Sequence, residues 1–463
     1  MTSDWKQAGG AVRSATIMEA FTTDPLQASA HIRALMERLS SFDEALSRGP
    51  VALDPFRGKS TIGKTWREQV LASRDFDPIR EPLLRFVDHL LERRLNLSVS
   101  LAESAHLNLD QQRPRSPFNQ FGSLAERRLL SLSASADPER REQARAAWQA
   151  VQADVAAVSA VRVLRYERRT EIEGRLGTAL LPLVSFADPA HGIVELARRV
   201  LDGTADAARA LVEPGFAGLI HGASGFPAED GWPARLGPEP LLDLMGGRWL
   251  LAGDGLRGFQ LPERICPASF PRAALQLGRQ VVRATTPESL PFVLCRTPAE
   301  TFGRALGRLL GLWLLSPACA QRRLGLGPEG RARHARGAAR LLLCESRLLA
   351  ARALLAEAGR HSRSRLDEVW SELGPELAGA DLGPPLGLFS APPEAAVDLL
   401  AHLWALDKQA ELVSLFDEDF LDNPRARESL LAEIHAPEPA HPPHEKLLAA
   451  AVGLCDLLAK SGS

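Results

Sequence analysis

The chain has 463 residues, 45% of them hydrophobic and 24% charged, with a formal net charge of −2. That is ordinary for a globular protein and enough for a large core or for two to three lobes. The near-neutral balance excludes a global positive field that would draw the chain to nucleic acid or to an anionic membrane.

The opening residues Met1-Thr2-Ser3-Asp4-Trp5-Lys6 lack a basic-then-apolar leader layout. The first motif is Gly58-Lys59-Ser60-Thr61-Ile62-Gly63-Lys64-Thr65, which fits G-x-x-x-x-G-K-[ST] at each fixed position. Gly58, Gly63, Lys64 and Thr65 would then bind a nucleotide. That chemistry needs a buried strand running into the first glycine and a helix leaving from the lysine, so that amides and the helix N-terminus face the phosphates. Residues 66–71 suit the helix. The strand is undermined by Pro55, which has no N–H for a sheet ladder. No series of β-α-β units with apolar strands follows. A turn before a helix is the favoured reading, and nucleotide binding is the alternative.

Helical periodicity governs the rest. Residues 82–106 carry Leu83, Leu84, Phe86, Val87, Leu90, Leu91, Leu95 and Leu97 on a helix or helix pair. Asp137-Pro138-Glu139 is a helix start, and that helix can run to Arg169 without Gly or Pro. Further helices are predicted at 190–202, 204–212, 270–284, 297–314, 328–358, 364–373, 392–416, 424–434 and 443–459, separated by Pro/Gly-rich connections. Strand-like segments are few and short, at 249–252 and 292–295. The longest apolar run, 309–315, is too short to span a bilayer. Five cysteines, at 266, 295, 319, 344 and 455, form no C-x-x-C. The expectation is reduced thiols in a cytoplasmic protein.

Residues 300–306 read Glu300-Thr301-Phe302-Gly303-Arg304-Ala305-Leu306 on a predicted helix. This resembles the zinc helix H-E-F-G-H-A-L of the thimet-oligopeptidase-like metallopeptidases, a group that includes relatives of angiotensin-converting enzyme. Phe302, Gly303, Ala305 and Leu306 match. Glu300 stands at the first histidine ligand, Thr301 at the general-base glutamate and Arg304 at the second histidine. Ala401-His402-Leu403-Trp404 is similar to the family's Y-L-W segment, and residues 416–426, ending in Asn423-Pro424-Arg425-Ala426, resemble its terminal F-G-x-x-x-x-x-N-P-x-A/G pattern. The resemblance covers 297–460.

It implies a mostly α fold, a large two-lobed helical body with a central cleft and little β. The lobes would be 1–212 and 297–463, joined by a Pro/Gly-rich segment 213–296 with short strands. It also implies lost chemistry, with no metal and no cofactor expected. A catalytic zinc needs three ligands and an open position. Positions 300 and 304 share a helix face, where Glu300 and Arg304 form an acid-before-base pair contributing about 0.3–0.5 kcal/mol if exposed. The family's third ligand is a glutamate on the next helix, for which Glu329 and Glu345 both fit by position. The family's transition-state tyrosines have no counterpart, because the single tyrosine is Tyr166. His402 stands at the Tyr of Y-L-W, either donating a hydrogen bond in the cleft or serving as a buried helix histidine. The function implied is binding of a peptide or partner protein by an inactive peptidase-like body, or a structural or assembly role.

Two other groups stand out. His441-Pro442-Pro443-His444 brings two histidines close, but on an extended loop. Arg322, Arg323, Arg331, Arg333, His334, Arg336 and Arg340 form a basic patch without interleaved aromatics, a solvated helix face or a dock for an acidic partner or nucleic-acid phosphate, with no base-stacking platform.

Overall fold

The computed structural model describes residues 24–48, 55–56, 64–97, 139, 164, 167–181, 192–212, 219, 222–223, 226–235, 238–244, 267–285, 290–361, 363–378, 395–417, 420–434 and 443–462. Among them the fold is mostly helical, and no strand occurs; the one bridge pairs Asp230 with Trp232. The predicted strand at 249–252 and most of the predicted helix at 137–169 lie outside the described residues.

The N-terminal part begins with α1, Pro25–Arg48. Its start follows from Asp24, whose side chain accepts from Leu26 N at 2.9 Å, and from Pro25 in the first turn. Ala28, Ile32, Leu35, Leu39 and Phe42 recur at helical spacing and are buried. Helix α2 spans Lys64–Ala72 and α3 spans Arg80–Leu95, joined through a 3-10 turn at Arg74–Ile79. Trp66, Val70, Phe76, Phe86 and Val87 close a small core with α1. Asp88 is fully buried there, accepting from Arg67 Nε and Leu181 N, each at 2.9 Å. Those bonds tie the stretch after helical residues 167–176 to α2 and α3.

The larger core is built from α4 (Ile193–Gly203), α5 (Ala205–Leu211), α6 (Pro238–Leu244), α7 (Ser269–Thr285), α8 (Phe292–Leu314), α9 (Pro328–His361), α10 (Arg363–Ala378), α11 (Ala395–Phe416), α12 (Pro424–Ile434) and α13 (His444–Gly462). Leu196, Ala197, Val200 and Leu201 of α4 are buried in it, and α4 packs on α9 and α13. The stretch 193–212, which the sequence groups with the first lobe, therefore buries its apolar face with the C-terminal helices.

Helix α8 belongs to both cores. Its first turn inserts Val293 into the small one, with Phe292 and Leu294 packed beside it. Residues 292–295 are thus helical rather than strand. A four-residue apolar run does not fix a period, and Pro291 at the N-cap starts a helix here. Helices α7 and α8 cross at a glycine seam. A Cβ at Gly303 would lie 2.6 Å from Arg279 Cα, at Gly307 2.5 Å from Leu275 Cα, and at Gly278 2.3 Å from Gly307 N. The backbones meet where side chains are missing, in antiparallel order.

Arg347 of α9 locks two helix ends. Its Nη1 donates to Leu201 O and to Thr204 Oγ1, each at 2.8 Å, and its Nη2 donates to Glu376 O. Leu201 and Glu376 lie in the last turns of α4 and α10, where carbonyls lack intrahelical donors and the dipole favours a cation. The side chain is almost wholly buried.

Candidate functional site

Helix α8 turns Phe302, Ala305, Leu306, Leu309, Leu310 and Trp313 into the core, all fully or nearly fully buried. Arg304 and Arg308, one turn apart on another face, reach the carboxylates of two other helices. Arg304 Nη1 lies 2.9 Å from Asp398 Oδ1, in the first turn of α11. Arg308 Nη1 lies 3.1 Å from Glu345 Oε1 on α9, and its Nη2 lies 4.0 Å from the same Asp398 oxygen. Burial alone would raise Asp398, but Arg308, Arg304 and Arg352 together outweigh it and hold its carboxyl below the ordinary value. An acid in the first helical turn also gains from the positive end of the helix.

One turn beyond Asp398 is His402, which is buried. Its Nε2 is 2.8 Å from Ser346 Oγ, and that hydroxyl donates to Leu342 O at 2.7 Å. With its proton committed there, the serine accepts from the ring, which sets the Nε2–H tautomer. Burial, aided by Arg308, pushes the imidazole down to about 3. His402 is thus a neutral, buried donor to Ser346.

The other sequence-derived positions fare unequally. Glu300 and Thr301 lie on the α8 backbone one turn before Arg304, and their side chains fall outside the described residues. Arg304 finds its carboxylate on α11. Glu329 is corrected: it sits in the first turn of α9, exposed, 3.8 Å from Arg333. It precedes Glu345 by sixteen residues, roughly 24 Å along the helix axis, so Glu345 is the α9 carboxylate of this cluster. Helix α2 does begin at Lys64, with Thr65 exposed. Gly58 and Gly63 lie outside the described residues, and Pro55 and Phe56 form a turn with Phe56 buried in the small core.

Several cations of the basic patch are spent internally. Arg333 makes a bidentate pair with Glu229, both contacts at 2.9 Å. Arg323 pairs with Asp422, Arg331 donates to Gln321, and His334 is buried. His444 faces Glu195 at 3.2 Å, while His441 lies outside the described residues. Cys319 and Cys344 are buried, and burial pushes both thiols up to about 12, so neither is a nucleophile at neutral pH. Among the described residues no three His, Cys, Asp or Glu side chains gather in a way that could hold a metal.

Asp398, Arg308 and Ser346 were not singled out by the sequence. Two i,i+4 pairs, 304/308 and 398/402, mark the faces involved, yet their partnership across 94 residues of chain is a tertiary fact. The cluster holds α8, α9 and α11 in register through charge. Compared with known proteins, the chain matches no family model and no curated protein.

Proposed function

We propose that this protein is a catalytically inactive, metallopeptidase-like helical body that works by binding a peptide or a partner protein. The observation that carries the reading is the Arg304–Asp398 contact at 2.9 Å. Where the resemblance would put a histidine ligand, this chain has a permanent cation that is engaged with a carboxylate. A guanidinium cannot donate an electron pair to zinc and cannot lose its proton to become a ligand. The general-base position is Thr301, which has no carboxylate to activate water. The fold class agrees at the coarse level of a mostly helical chain. The two lobes and the cleft between them, which would take an extended peptide, belong to the proposal. No helix among the described residues is long and apolar enough to cross a membrane.

The test combines elemental analysis with fluorescence anisotropy on a library of extended peptides. The reading expects a subset of peptides to bind with less than stoichiometric zinc in the sample. One tightly held zinc per chain, lost on changing Glu300 or Glu345, overturns it. So does the absence of binding to any peptide or protein segment.

A second reading rests on α2 starting at Lys64, the helical half of a phosphate-binding loop. It predicts ATP or GTP binding that disappears in Lys64→Ala. Nucleotide binding that survives this change would point away from residues 58–65.

A further inference from the structure

We propose that residues 226–235 form an acid-released strap, clasped on α9 while His334 is neutral. The clasp is built on one face of α9, where Gly330, His334, Gly337 and Leu341 follow at helical spacing. The Phe226 ring lies directly over Gly337, where an added Cβ would come within 2.5 Å of it. Gly231, at φ 111°, brings the strap backbone against Leu324 O, leaving 2.3 Å for a Cβ. Between these contacts His334 is sealed at 1% exposure, with Phe226 edge-on at 5.4 Å and Trp232 at 5.8 Å between ring centroids. Trp232 continues into the large core through Phe270, at 4.8 Å.

Neither nitrogen of His334 has a hydrogen-bond partner of good geometry among the described residues. A neutral ring tolerates this apolar slot better than an imidazolium does. The charged groups near it are Glu229 from the strap and Arg333 from its own helix, which pair with each other, and Asp230, which also acts on Arg333. The end of α8 presents the Leu315 backbone. Burial outweighs the pull of the Leu315 backbone and Glu229, so the imidazole sits below its ordinary value. Hydrogen bonds from Arg333 hold Glu229 below its ordinary value, outweighing the opposing effect of burial. The Arg333–Glu229 pair therefore persists as pH falls below the ordinary imidazole value of about 6.5, and among the described residues of the clasp His334 is the group that takes up a proton there when the strap opens.

The sign follows from linkage. The open strap exposes His334 to water, where it takes a proton at an ordinary value of about 6.5. The closed strap takes that proton only at lower pH. Between those two values the open population rises by up to about tenfold per pH unit as pH falls.

Hydrogen–deuterium exchange on the full chain, from about pH 8 to about pH 5 across the imidazole range, tests this after correction for intrinsic rates. The strap amides of residues 228–235 should lose up to about tenfold protection per pH unit below about 6.5, while α8 amides at 302–313 stay protected. His334→Phe, which keeps an uncharged ring in the slot, should flatten the response. A pH-independent strap, the same slope in His334→Phe, or an equal loss in α8 would each overturn the proposal. Should His334→Phe fail to fold, an NMR titration of the histidines in the unaltered chain decides. A His334 that titrates at or above the ordinary imidazole value contradicts the strap, and one that titrates below it, together with strap exchange, supports it.

Discussion

Arg304 on α8 and Asp398 on α11 meet at 2.9 Å, and the same carboxylate oxygen also faces Arg308 at 4.0 Å. Asp398 is thus shared by two guanidinia one helical turn apart, whereas Arg308 has Glu345 as well. The consequences of removing each member differ for that reason.

Asp398→Asn should destabilise more than Arg304→Met. Losing the carboxylate takes from Arg304 its ion pair on α11 and leaves it beside Arg308, which keeps Glu345, whereas losing Arg304 leaves Asp398 with Arg308 and Arg352. Breaking a buried pair costs about 3–5 kcal/mol. Both side chains here keep roughly a fifth of their exposure, so about 2–3 kcal/mol is expected for Asp398→Asn and about 1 kcal/mol for Arg304→Met. Urea unfolding of both variants and of the double variant measures the order and the coupling. Equal, additive losses would mean that the carboxylate is not shared.

The glycine seam makes a prediction against helix propensity. Replacing Gly by Ala inside a helix ordinarily stabilises it by about 1 kcal/mol. At Gly307 the new Cβ would sit 2.5 Å from Leu275 Cα, which is backbone and cannot swing aside. Gly307→Ala should therefore lower the melting temperature, with a cost of about 1–3 kcal/mol from forced separation of α7 and α8. A higher melting temperature would show that the helices stand farther apart.

Arg347→Met keeps the stem but removes the donors to Leu201 O, Thr204 Oγ1 and Glu376 O. Thr204 Oγ1 still bonds Val200 O at 2.6 Å, and Glu376 is exposed, so the loss should be about 1–3 kcal/mol, mainly from Leu201 O. Arg198→Ala, which removes half-exposed contacts to Glu372 and Glu376, should cost less than about 1 kcal/mol. Thermal unfolding of the two variants side by side checks the contrast.

Much of this architecture is legible in the sequence, and the failures have physical causes. The inward face of α8 follows from the spacing of Phe302, Leu306, Leu309, Leu310 and Trp313, all of which are buried. Helix α1, absent from the predicted helices, has its signals in the sequence too: Asp24-Pro25 is a start, and Ile32, Leu35 and Leu39 follow at helical spacing. Residues 292–295 read as strand because four apolar residues carry no period. Glu329 and Glu345 both fit by position on the next helix, while the phase and length of α9 bring Glu345 to Arg308 and leave Glu329 exposed. The partnership of Arg304 with Asp398 depends on how α8 packs against α11, which no local pattern encodes.

Acid stability should report His402. Its folded value of about 3 lies below the unfolded value of about 6.5. The unfolded chain therefore binds the extra proton first, and stability is fully present above about pH 6.5 and falls below it by up to about 1.4 kcal/mol per pH unit. Asp398, held low by its arginines, adds a second loss only below the ordinary carboxylate value, as pH falls toward its folded value. His402→Gln, which preserves a donor to Ser346, should reduce the slope between about pH 6 and pH 4. An unchanged slope would place the acid sensitivity elsewhere, with His334 the next group to change.

On the proposed function, a peptidase-like body binds peptides without cleaving them, with Arg304, at the position where the resemblance puts a histidine ligand, held by Asp398. Mass spectrometry of a mixed peptide library, incubated with the purified chain and added zinc, tests this most directly. Bound peptides should be recovered intact at every time point. Time-dependent cleavage that needs zinc and is lost on changing Glu300 or Glu345 would contradict it.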